Sequence, residues 1–124
     1  MAEGLVLQEQ RHLTRRELIY YLKVTDRKTE REIGRMGDIH REGMLVMSPG
    51  PMKVGLIMDL SLELPKALQS TGHGELLFRG EVVWTRPGPK TNNYHENGIR
   101  FVEADEMQKM AVDKLIDLFA MPGN

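Results

Sequence analysis

The chain has 124 residues, 40% hydrophobic and 28% charged, which fits one domain with a packed core and excludes a disordered chain. Its 17 Lys and Arg balance 18 Asp and Glu to a net charge of -1, so no overall positive field draws it to nucleic acid or an anionic membrane. It has no cysteine, which excludes disulfides, thiolate zinc sites and a cysteine nucleophile, and makes a cytoplasmic location the expectation.

Residues 1–16 read as a polar N-terminal arm. The arm carries an acid where a signal peptide has a basic segment, and Arg11, Arg15 and Arg16 cluster at its end. No run of the chain approaches the roughly 18 apolar residues of a membrane helix. The β-rich run Leu18–Val24, followed by polar Thr25-Asp26-Arg27-Lys28, predicts a first strand and turn. Glu32–Ile39 is the returning strand, and Gly34 and Gly37 within it predict a bulge or a close backbone approach. Asp38–Gly43 reads as the connection to a short apolar strand, Gly43–Met47, which Ser48-Pro49-Gly50-Pro51 stops.

From Val54 to Leu64, Leu56, Met58, Leu60, Leu62 and Leu64 alternate with Ile57, Asp59, Ser61 and Glu63, the period of a half-buried strand. A polar connection runs to Gly74. Leu76–Trp84 is a fifth strand whose alternation is uneven around Gly80, and Gly98–Val102 is a sixth after the turn-rich Pro87–Asn93. The period then changes. Asp105 can cap a helix in which Met107, Met110, Ala111, Leu115, Leu118 and Phe119 recur at three- and four-residue spacing, ending before Pro122. Six strands and one terminal helix give a mainly β class: an antiparallel barrel or rolled sheet with the helix packed on it, in a single domain over 17–121.

Catalytic chemistry has no visible carriers. His12, His40, His73 and His95 are scattered, no metal- or cofactor-binding spacing occurs, and no serine stands in a nucleophile elbow. The chain reads as a binding module and not an enzyme. Of the nine methionines, Met36, Met44, Met47, Met52 and Met58 read as adaptable core filling, whereas Met107 and Met110 suit either core or a partner-binding face.

Two segments stand out together. Arg11-His12-Leu13-Thr14-Arg15 is an R-x-x-x-R arm, and about twenty residues of hairpin later comes Asp38-Ile39-His40-Arg41-Glu42-Gly43. An apolar strand, Gly80-Glu81-Val82-Val83-Trp84 and Gly98-Ile99-Arg100-Phe101 follow in order. This order resembles the PilZ domain family, whose second motif is D-x-S-x-x-G. The resemblance implies a six-stranded antiparallel β-barrel with a C-terminal α-helix and a site for cyclic di-GMP. Arg11, Arg15 and Arg16 would then engage guanine and phosphate from the arm, with Asp38, His40 and Gly43 on the barrel side. His40 stands where the family has serine. A second register, beginning at Arg15 and closing on Ile19, leaves the arginine pair incomplete. The family therefore implies either a cyclic di-GMP receptor or a barrel that acts on a protein partner, such as pilus or flagellar machinery, without nucleotide.

Overall fold

A computed structural model describes residues 22–65, 68–69, 74–89 and 93–120. Residues 18–21 of the expected first strand lie outside these. The described elements are β1 (Lys23–Asp26), β2 (Arg31–His40), β3 (Gly43–Ser48), β4 (Ile57–Glu63), β5 (Glu75–Pro87), β6 (His95–Phe101) and α1 (Glu106–Ala120). All strand pairs are antiparallel, and the order β1-β2-β3-β6-β5-β4 closes on itself as a barrel through β1 and β4. The class expected from the pattern, six strands and a terminal helix, is the one observed.

Several boundaries move. β1 runs on through Thr25 and Asp26, so the turn falls at residues 27–30, where Asp26 Oδ1 accepts from the Lys28 backbone N–H at 2.9 Å. Asp38–Gly43 is not a connection: Asp38 and His40 belong to β2, and the hairpin turns on two residues, Arg41 and Glu42, between His40 and its partner Gly43. Val54–Leu56 precede β4, with Gly55 at φ 93° in a turn, and β5 and β6 each extend several residues past their expected limits.

The barrel interior is apolar. Val24, Met36, Val46, Leu60, Leu62 and Val82 are fully buried, and Phe78 meets Phe101 edge-on with centroids 5.4 Å apart, the geometry aromatic quadrupoles favour. Met36 and Met44 fill this core as expected. The alternation in β4 holds for Leu60 and Leu62, but Ser61 is buried too, beside Lys23, Thr25 and Glu63 in a charged groove.

Two bulges decide which side chains face out. In β2, Gly34 and Met36 are buried, but the register against β3 shifts between Met36 and Asp38, and Ile39 then becomes the buried residue. One extra residue exchanges the two faces of a strand, so Asp38 and His40 point outward. In β5, Leu76, Phe78, Gly80 and Val82 are buried until a shift between Val82 and Trp84 turns Trp84 out. The unevenness around Gly80 has another source: Gly80 keeps its inward place, where a Cβ would collide with Ile99 Cγ2.

Asp105 caps α1 as expected: its Oδ1 accepts from the Gln108 N–H at 2.8 Å, and its carbonyl accepts from Lys109 N–H at 3.0 Å. The buried stripe is Gln108, Val112, Leu115 and Leu118, packed against β2 and β5. Met107 and Met110 are off it, 75% and 58% exposed. At ~100° per residue Met110 lies ~140° round the helix from Leu115, so of the two roles left open for this pair, core filling is not the one they take.

Candidate ligand-binding cleft

The outward turns of β2 and β5 open on one cleft of about 390 Å³ over strands β2, β3, β6 and β5. Asp38, His40 and Glu42 line one side of it, and Trp84, Arg86 and Arg100 the other. The bulged β2 backbone is fixed by Asp38 itself, whose Oδ1 accepts from the Ile39 N–H at 2.8 Å. His40 Nδ1 accepts from the Glu42 N–H at 3.3 Å across the turn. That bond makes Nε2 the protonated nitrogen of the neutral ring, hence a donor.

Trp84 is the single tryptophan of the chain. Its indole lies directly on Gly98 of β6, where a Cβ would collide with the indole nitrogen. Gly98 is therefore required by a close approach, and the ring stays 39% exposed in the cleft. The Arg86 guanidinium sits 5.0 Å from the ring centroid, a cation–π contact, while its Nε donates to Glu96 Oε1 at 2.7 Å. On the other side of Trp84, Arg100 Nη2 donates to Glu81 Oε1 at 2.5 Å. Both cleft arginines are thus neutralised by cross-strand carboxylates.

Beneath this wall Asn97 is wholly buried. Its Nδ2 donates to Val46 O at 2.9 Å and Ser48 Oγ at 2.7 Å, and its Oδ1 accepts from Met52 N–H at 3.1 Å. Ser48 Oγ donates onward to Gly50 O at 2.6 Å. The amide satisfies itself while tying the proline-rich segment after β3 to the strand that carries Gly98.

The model of the PilZ domain matches residues 8–118, most of the chain. The chain belongs to the PilZ domain family. The PilZ domain, with c-di-GMP, of YcgR from Escherichia coli superposes with a TM-score of 0.60 at 12% identity, over 78% of this chain and 79% of that one. The Bacillus subtilis inhibitor of motility MotI superposes with a TM-score of 0.61 at 18% identity, over 77% of this chain but only 45% of that one. At such identities these neighbours speak for the shared PilZ fold. No curated protein matches the sequence.

Of the sequence-derived site residues in this PilZ barrel, Asp38 and His40 meet in the cleft. Gly43 follows on the same hairpin but is buried against β6, where a Cβ would collide with the Ile99 carbonyl oxygen. Arg11, Arg15 and Arg16 lie outside the described residues, as does the whole arm 1–16. Sequence reasoning passed over Trp84, Arg86 and Arg100. Their signal was faint: an aromatic near the end of one strand and one arginine on each of two neighbouring strands. Among the described residues no group of His, Asp and Glu could hold a metal ion, and no helix is long and apolar enough to cross a membrane.

Proposed function

We propose that this PilZ domain is a receptor for cyclic di-GMP that binds the nucleotide in the cleft between Asp38, His40 and Trp84 and converts that binding into a changed surface for a protein partner. The observation that carries the reading is the convergence of the second motif's Asp38 and His40 with an exposed indole in one cleft. The family membership and the c-di-GMP named with the YcgR domain support it.

Each group has matching chemistry. A guanine stacks on the indole face, a contact worth about 1–3 kcal/mol per base. The Asp38 carboxylate accepts from the N–H groups of guanine, and His40 Nε2–H donates to a phosphate oxygen. The arm supplies Arg11, Arg15 and Arg16, whose planar forks fit phosphate or the guanine O6 and N7 edge. Drawing the arm onto the barrel is the step that creates a new surface, because the ligand binds that arrangement better than the open one.

Calorimetric titration of the full chain with cyclic di-GMP, read in parallel by Trp84 emission, tests this. Saturable heat and a matching change in emission are expected. Arg11→Ala or Arg15→Ala should weaken binding about tenfold to a hundredfold, since charge-assisted hydrogen bonds contribute about 1.5–3 kcal/mol each. His40→Ser should weaken it as well, by removing the Nε2 donor. Absence of heat and emission change at high micromolar nucleotide would discard the receptor.

One observation favours a second reading. Met107 and Met110 form an exposed, adaptable apolar pair on α1, suited to a protein contact that needs no nucleotide. The likeness to an inhibitor of motility supports a partner in motility machinery for that case.

A further inference from the structure

Arg86 and Arg100 are absent from both motifs, yet they line the same cleft as Trp84. The β5–β6 register sets three rows side by side: Arg86 opposite Glu96, Trp84 opposite Gly98, and Glu81 opposite Arg100. Glu96 and Arg100 are four residues apart on β6, roughly 13 Å at ~3.3 Å per residue. The Arg86 guanidinium thus lies over the Trp84 ring, 5.0 Å from its centroid, with the Arg100 row beyond Gly98 on the other side, so a ligand that meets the exposed indole in this cleft has a guanidinium in reach in either direction along the strands.

Both guanidiniums are held by a neighbour's carboxylate, at 2.7 Å for Arg86–Glu96 and 2.5 Å for Arg100–Glu81. The arginine side chains are 65% and 55% exposed, while their carboxylate partners are more covered, at 17% and 28%. The arginines are the exposed halves of these pairs, so an incoming anion reaches their remaining donors from solvent while the more covered carboxylates stay in place. Arginine offers five donors in a rigid fork, of which the carboxylate contacts here occupy Nε of Arg86 and one Nη of Arg100.

We infer that Arg86 and Arg100 are additional anion-binding residues of this barrel, kept in position by Glu96 and Glu81 until a phosphate or a guanine edge of the stacked ligand takes over one or more of their donors. The inference rests on the receptor reading and deepens it. It places cationic ligands on the barrel wall itself, independent of the arm, and makes two carboxylates competitors of the ligand.

The experiment is a titration of the full chain with cyclic di-GMP in Arg86→Ala, Arg100→Ala, Glu96→Gln and Glu81→Gln variants, beside Trp84→Ala. Circular dichroism checks that each variant keeps its fold. The arginine variants should bind about tenfold more weakly, the factor expected for losing a charge-assisted contact. The glutamine variants should bind about two- to fivefold more tightly, because each removes a negative charge that competes with the ligand for a guanidinium. Arginine variants that bind like the unmodified chain while Trp84→Ala fails would overturn the inference and leave the receptor standing. Glutamine variants with unaltered or weaker binding would overturn the exchange. An unmodified chain that binds no cyclic di-GMP would remove the receptor reading and the inference together.

Discussion

Gly43 illustrates how a motif residue acquires its physical reason only from a partner strand. The D-x-x-x-x-G spacing marks it as part of a ligand motif, but β3 starts so close to β6 that a Cβ would meet the Ile99 carbonyl oxygen. Backbone cannot give way as a side-chain tip can. Gly43→Ala should therefore destabilise the barrel by about 1–3 kcal/mol, the range for overpacking a core. Urea unfolding would show a lower midpoint with an unchanged slope, whereas His40→Ser, at an exposed position, should leave the midpoint nearly in place. A midpoint equal to the unmodified chain's in Gly43→Ala would refute the packing role. The glycine was legible in the sequence; its reason was not, since Ile99 lies more than fifty residues away.

At the scale of elements, periodicity carried most of the information. Even positions of β4 and the first part of β5 point inward as their pattern required, and the Asp105 cap marked the start of α1. Gly34 and Gly37 announced the close approach and the bulge of β2, but periodicity could not supply the shift in β5 or the facing that either shift produces, because a bulge is a relation between strands. Those shifts bring Asp38, His40 and Trp84 to the outside, so the facing of the residues that build the cleft is what pattern reading left undecided. On the helix, spacing leaves Met107 and Met110 open between core and surface and gives no sign that the buried face includes polar Gln108, whose Nε2 is buried with no hydrogen-bond partner among the described residues. An unmet buried donor costs about 1–3 kcal/mol. Gln108→Met keeps nearly the same shape without that donor and should raise stability by about 1 kcal/mol. A thermal melt that moves down instead of up would show that the amide has a use in the fold.

The barrel is a sheet closed through β1, the shortest strand among the described residues. Hairpins β2–β3 and β5–β6 join segments near in sequence, but the seam pairs Val24 with Leu62, Thr25 with Ser61 and Asp26 with Leu60. Arg27 N–H adds one bond to Asp59 O at 3.0 Å. Such non-local pairing pays its loop-closure entropy before it gains contacts, which slows folding into the range of milliseconds to seconds. A seam of four residues is then the last piece to form and the first to open. Val24→Ala, which hollows the seam, should leave the folding rate nearly unchanged and accelerate unfolding, a φ-value near zero. Stopped-flow chevrons would read this directly, and a slowed folding limb would place the seam in the nucleus. The lifetime of the folded barrel, and with it the resistance of the cleft to proteolysis, is then set at the β1–β4 join on the far side of the sheet from the cleft's own strands.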